Sequence, residues 1–475
     1  MRYGATILRN SLVCALAACF AAIVLLAGCA GVPVDGGTPQ AALADESVEG
    51  RVLAREMRGR EEIALGTPPP SPQVAVAALF GSATRSVSPR PDAAPTAPEP
   101  AREPVTKDPV AKTADNLFDV VTVLWGTDRA VPSTGGRPVA RGEPIVTGSV
   151  PTTALPGADR GDRLTLGRSR VTIPRTARDK GKILRPRQFT FLNYTLYSEQ
   201  EDPRKHFTIA DLETLDPAAF FQVANAEGAK GLRFKDQALV FVHGYNVTFE
   251  HALYRTAQLA HDLEFDGVPY LYSWPSKGEE SGYLYDRDSA DRARTYFLEF
   301  LGRIALETHA KKVHVIAHSI GTRPLLEALR AEKGKLAKKF KIGEVILAAP
   351  DIDSDVFSDI AKTIQGASHG VTLYASANDK ALKASKAIAG GSPRAGDVPA
   401  SGPLVVPGID TIDITQAGPD SFLSFNHSTY AERNHVLSDM WLLLKEGVHP
   451  PDKRFAVFRP VTLANGETYW KYLRN

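Results

Sequence analysis

The sequence predicts a mostly parallel, doubly wound α/β sheet with helices on both faces, preceded by a disordered Pro/Ala-rich tether. Three observations carry this. From residue 238 onward, short and nearly continuous apolar runs alternate with helical segments, the pattern of strands buried on both faces. Residues 31–115 hold 13 of the 34 prolines, which forbid regular ladders and favour extended backbone. The remaining composition is that of a folded domain: 475 residues with 43% hydrophobic and 23% charged residues and a net charge of +2. This balance excludes a basic nucleic-acid binder and a wholly disordered chain.

Residues 1–28 read as a secretory signal. Arg2 and Arg9 precede an apolar stretch from 11 to 28 that ends in small residues. The ending Leu26-Ala27-Gly28-Cys29 resembles the bacterial lipobox, in which the chain is cut before the cysteine and the thiol is acylated. A single-span anchor is the competing expectation, because 18 residues approach the spanning minimum. Cys14 and Cys19 fall within the signal, so only Cys29 is expected in the mature chain and no internal disulfide forms. The lipid would tether the protein to the bacterial envelope. Ala30 lacks the acidic character associated with inner-membrane retention, so the outer membrane, facing the periplasm, is expected.

Residues 29–115 form the tether, and residues 116–450 the α/β domain. Its N-terminal strands, within 116–235, are β-branched or aromatic runs at 120–125, 164–174 and 188–197. The strands of the alternating part are expected at 238–242, 268–272, 312–316, 344–349, 371–375 and 411–415. Helices are expected at 249–265, 289–308, 322–333, 356–364, 380–389 and 432–445. Residues 451–475 are expected to add a small hairpin around Asn465-Gly466.

A serine nucleophile needs a tight turn between a strand and a helix, flanked by small residues. The literal Gly-x-Ser-x-Gly signature occurs at Gly366-Ala367-Ser368-His369-Gly370, and a relaxed form at Ala317-His318-Ser319-Ile320-Gly321. Ser368 precedes a strand, at its amino end. Ser319 follows one and opens a helix, where sites form in open α/β sheets. Ser319 is therefore the expected nucleophile. The oxyanion hole would use the N–H of Ile320 and that of Tyr245, in the turn His243-Gly244-Tyr245-Asn246 after an earlier strand. The acid is Asp379, past the penultimate strand, with Asp351 the alternative; the base is His427, in the loop beyond the last strand. His314 reads as a core residue, His318 as pointing away from the nucleophile, and His435 as packing within the last helix. No metal or other cofactor is expected. His314 and His318 lie on an extended strand, roughly 13 Å apart over four residues, too far to share an ion.

At these residues the chain resembles bacterial α/β-hydrolases of unknown function, often labelled esterase/lipase-superfamily proteins. The resemblance begins at Gly126-Thr127-Asp128-Arg129 and includes His243-Gly244-Tyr245-Asn246, Tyr272-Ser273-Trp274-Pro275-Ser276 and Ala317-His318-Ser319-Ile320-Gly321. It continues through Ala349-Pro350-Asp351-Ile352-Asp353, Ser376-Ala377-Asn378-Asp379 and the His427 loop. It implies the α/β-hydrolase fold and a Ser-Asp-His triad, but no particular substrate. The expected activity is hydrolysis of small carboxylic esters through an acyl-enzyme. The alternative is a non-catalytic envelope lipoprotein that uses the fold as a binding scaffold.

Overall fold

In the computed structural model, residues 117–474 are described apart from 133–149, 151, 176–181, 192–193, 333–341 and 418–429. Apolar runs buried on both sides need neighbours on both edges, and here they find them in one eleven-stranded sheet. Its strands are β1 (Phe118–Arg129), β2 (Arg160–Pro174), β5 (Thr208–Leu215), β6 (Gln237–Val242), β7 (Val268–Ser273), β8 (Lys312–His318), β9 (Ile342–Ala348), β10 (Gly370–Ala375), β11 (Asp410–Asp413), β12 (Phe458–Thr462) and β13 (Thr468–Tyr472). They lie in the order β12-β13-β11-β10-β9-β8-β6-β7-β1-β2-β5. All neighbours from β1 to β13 are parallel, whereas β2, β5 and β12 add antiparallel edges.

Alternate residues of the central strands enter two cores. Val240, Val242, Val315 and Leu347 face one side. There they meet Phe220 of α1 (Pro217–Gly228), Phe297 and Phe300 of α3 (Tyr283–Glu307), Leu325 of α4 (Thr322–Glu332) and Phe357 of α5 (Ser354–Thr363). Leu239, Phe241, Ile316 and Ile346 face the other side, against Leu253 of α2 (Phe249–Asp262) and Met440 and Leu443 of α7 (Tyr430–Glu446). Three of the helices begin where a side chain caps them: Asp216 accepts from the Ala219 N–H, Thr248 from the His251 N–H and Asp353 from the Val356 N–H. A fourth capped helix, α6 (Lys380–Ile388), starts at Asp379, and a single turn, α8 (Pro451–Arg454), follows α7.

Parallel register levels the carboxyl ends of the strands. Thr127 pairs with Ser273, Val242 with both Tyr272 and Ala317, and Ala348 with both His318 and Tyr374. The residues that follow these positions therefore share one rim of the sheet.

Three features differ from expectation. The 188–197 run folds back on itself as β3 (Gln188–Phe191) and β4 (Tyr194–Ser198), so its hydrogen bonds are spent internally and it forms a separate two-stranded sheet. Strand β5 and helix α1 occupy the stretch before residue 237, where only strands of unspecified number are expected. The C-terminal hairpin forms at Asn465-Gly466, but β13 also pairs with β11 at Ile412 and Trp470, so the hairpin extends the main sheet. Among the described residues no helix is long and apolar enough to cross a membrane. Cys29 lies outside the described residues.

Candidate active site

Strand β8 ends at His318, and the backbone turns at once into a single 3-10 turn, Ser319–Gly321, and then α4. Ser319 sits at φ +52°, a left-handed conformation that costs a non-glycine residue on the order of 1–2 kcal/mol. The residue is 6% exposed. The Thr322 hydroxyl donates to the Ser319 carbonyl at 2.7 Å and closes the turn. Gly321 must lack a side chain, because a Cβ there would lie 2.1 Å from the His243 carbonyl oxygen. Ala317, the departure from the literal motif, is fully buried in the sheet core, where a methyl is accommodated. Ser368 instead lies at the amino end of β10 and donates to the Gly370 carbonyl at 3.1 Å, on the rim opposite Ser319.

The turn after β6 packs directly on this elbow. A Cβ on Gly244 would be 2.7 Å from His318 Nδ1 and 3.0 Å from Ser319 Cβ. Four contacts fix the turn. Trp274 Nε1 donates to the His243 carbonyl at 2.8 Å, and the Asn246 N–H donates to Asp286 at 3.0 Å. The Val247 N–H donates to Ser276 Oγ at 3.0 Å, and the Val247 carbonyl accepts from Arg129 at 2.9 Å. Asn246 needs φ +58° to pass between them, which asparagine tolerates better than most residues.

Arg129 is the centre of this scaffold. Its guanidinium, 2% exposed, donates to Ser273 Oγ and to the carbonyls of Gly157, Ser276 and Val247. Burial lowers its pKa to about 10, still far above neutrality, so it remains a cation with its donors spent on backbone carbonyls and on buried side chains. Asp286 balances it, accepting from Ser276, Lys277 and Asn246, while burial raises its carboxyl above the usual range. Asp128 accepts from the Tyr272 hydroxyl at 3.0 Å, and burial raises it to about 6.

His243 is stacked on Trp274 with ring centroids 4.7 Å apart. Its Nδ1–H donates to the Gly244 carbonyl at 2.9 Å, because a carbonyl can only accept. Nε2 therefore accepts, from the Ser273 hydroxyl at 3.1 Å and Arg129 at 3.4 Å. Burial, followed by the Arg129 charge, pushes this imidazole down to about 3, so it is neutral at physiological pH. It braces the turn and does not serve as a base.

Tyr245 follows Gly244 in the turn. Its ring meets Tyr283 edge-on at 5.5 Å, and its hydroxyl donates to the Glu280 carbonyl. Ile320 is fully buried in the turn after the nucleophile candidate. Asp379 caps α6 by accepting from the Leu382 N–H at 2.9 Å, in the turn after β10. Asp351, after β9, is buried and engaged by Ser385, by Tyr283 at 3.2 Å and by Arg394 at 3.4 Å. Burial raises its carboxyl above the ordinary range. His427 lies outside the described residues. His318 is half-buried with its ring beneath the Gly244 turn, and desolvation lowers it to about 4. His314 is a core residue whose Nδ1 accepts from the Glu344 N–H, and His435 packs on Phe455 and Tyr472.

The structural roles of Arg129, Ser276, Asp286 and Tyr283 were not assigned from sequence. The available signal was a charged pair, Asp128-Arg129, closing an apolar strand at the rim where sites form. Together these groups hold a serine hydroxyl on a strained elbow beside a backbone turn anchored by buried polar contacts. A comparison with curated proteins returns no match. Residues 228–445, which carry the elbow, the turn and the central strands, match the model of the family described as alpha/beta hydrolase of unknown function (DUF900).

Proposed function

We propose that this protein is a serine hydrolase acting on carboxylic esters, with Ser319 as nucleophile, His427 as base and Asp379 as the acid that orients it. His427 takes the Ser319 proton as Oγ attacks the ester carbonyl. The N–H groups of Tyr245 and Ile320 stabilise the oxyanion, and the alcohol leaves with the proton from His427. Water, deprotonated by His427, then releases the acid from the acyl-enzyme. The observation that carries this reading is the left-handed backbone of Ser319 at a strand–turn–helix junction, against which Gly244 is pressed. Local strain of this kind persists only where the surrounding structure enforces it.

Chain order and strand spacing favour Asp379 over Asp351. Asp379 follows β10, two strands from β8, a separation of about 10 Å at the usual inter-strand spacing. Both carboxylates are engaged, Asp351 by Tyr283, Ser385 and Arg394 and Asp379 by the Leu382 N–H, so it is chain order and spacing that separate them. Between Asp353 and Gly370 the chain is occupied by the ten-residue helix α5, too short for a large lid, which favours small or accessible esters. Acylation of Cys29 would hold the enzyme at the bacterial envelope, on the outer membrane facing the periplasm.

The test uses the full-length protein with a fluorophosphonate probe and short p-nitrophenyl esters. Labelling on the peptide that carries Ser319, and loss of both labelling and turnover in Ser319→Ala, is expected. Labelling unchanged in Ser319→Ala overturns the assignment, and a folded wild type that neither labels nor turns over supports the non-catalytic scaffold. For the anchor, Cys29→Ser is expected to move the protein from the membrane to the soluble fraction.

A further inference from the structure

The opposite rim of the sheet carries a second cluster of chemistry. Glu344, near the start of β9, is 2% exposed, and its carboxylate faces two imidazoles from distant parts of the chain. His369 Nδ1 lies 2.7 Å from Glu344 Oε1, and His449 Nε2 lies 3.0 Å from Glu344 Oε2. We propose that Glu344, His369 and His449 bind a divalent transition-metal ion of the zinc class. This site does not depend on Ser319, which lies at the carboxyl rim.

The donor set decides the class of ion. Two imidazoles and one carboxylate suit zinc and its neighbours, whereas magnesium and calcium prefer oxygen donors. The three ligand atoms lie within 4.8 Å of one another. With bonds of about 2.0–2.2 Å, a tetrahedral ion needs its ligands roughly 3.4 Å apart, which side-chain adjustments of under an ångström or so supply.

The surroundings match those of a ligating histidine. His449 Nδ1 donates to Asp410 Oδ2 at 2.6 Å, which orients the ring and turns Nε2 toward Glu344 and His369. Glu344 is itself fixed by its backbone N–H, which donates to His314 Nδ1 at 3.0 Å. Two glycines make room for the ligands. A Cβ on Gly370 would fall 2.1 Å from His449 Nε2 and 2.6 Å from Glu344 Oε2. A Cβ on Gly447, at φ +62°, would fall 3.0 Å from the His369 ring.

His369 and His449 also line a cavity of about 690 Å³ that Val406 and Trp470 help to wall. Three protein ligands leave a fourth position open, and in this cavity water or a small anion would complete the shell. His369 comes from the literal Gly366-Ala367-Ser368-His369-Gly370 signature, so the stretch that mimics a nucleophile motif contributes a ligand here.

The test is made on untagged, full-length protein stripped with a chelator and then titrated with Zn²⁺ alone. About one equivalent bound per chain by elemental analysis, and a rise in Tm on adding Zn²⁺, is expected. His369 is largely exposed, so His369→Ala is expected to keep the fold, checked by circular dichroism, while losing at least about tenfold in Zn²⁺ affinity. Co²⁺ in the wild type should give the intense visible bands of a low-symmetry site, and His449→Gln should abolish them. Uptake well below one equivalent, or affinity unchanged in His369→Ala, overturns the proposal.

Discussion

Gly244 and Ser319 approach so closely that a methyl group on the first would stand 3.0 Å from the Cβ of the second and 2.7 Å from the His318 ring. The turn that bears Tyr245 is thus positioned by direct contact with the elbow. Gly244→Ala must push the two apart by several tenths of an ångström. Misplacement on that scale is expected to lower kcat/KM at least about tenfold while the far-ultraviolet circular dichroism stays that of the wild type. Steady-state ester hydrolysis and probe-labelling rates measure it.

Ser319 occupies a backbone region that glycine enters at little cost. Ser319→Gly should therefore gain about 1 kcal/mol of stability, or about 2 °C in Tm, while abolishing covalent labelling. Ser319→Ala keeps the Cβ and should not show the gain. A thermal melt of the two variants beside the wild type separates relief of strain from loss of the hydroxyl.

The two acids make different predictions. Asp379→Asn removes the partner that would fix the imidazole tautomer, and a fall in kcat on the order of 10⁴-fold is expected. Asp351→Asn leaves that partner in place and weakens the contacts to Tyr283 and Arg394, so a loss of about tenfold or less is expected. Reversed magnitudes in the same kinetic assay would reassign the acid.

Stability should fall on acidification through the ordinary histidine range. The unfolded chain takes up a proton at His243 near pH 6.5, whereas the folded chain resists it down to about pH 3. Below pH 6.5 the unfolded state therefore binds more protons, and stability declines until about pH 3. Between pH 6.5 and 5 this residue alone is expected to cost about 2 kcal/mol. Urea unfolding at several pH values measures the slope, and His243→Gln, less stable at pH 7, should show a shallower one.

The central strands were legible because both their faces are buried, which leaves uninterrupted apolar runs such as 238–242 and 312–316 in the sequence. The elbow was legible from context: Ser319 follows a strand and Ser368 precedes one. Helix α1 is absent from the expected elements although Asp216-Pro217 is a recognisable start, with Asp216 capping and Pro217 at the first position. The hold of Arg129 on the turn after β6 could not be read, because its partners lie between 28 and 147 residues away. Glu344, His369 and His449 share no short spacing for the same reason: a crossover separates the starts of β9 and β10, and His449 arrives from the segment after α7.

The family match spans 228–445, yet the cation that ties down the Val247 carbonyl comes from β1, and β13 covers the edge of β11 from beyond residue 467. A fragment excised at the borders of the match would carry every candidate group of the triad and still lose the bolt that locks its turn and the strand that shields its flank. The smallest piece worth expressing for crystallisation or inhibitor screening therefore runs from the first strand to the last.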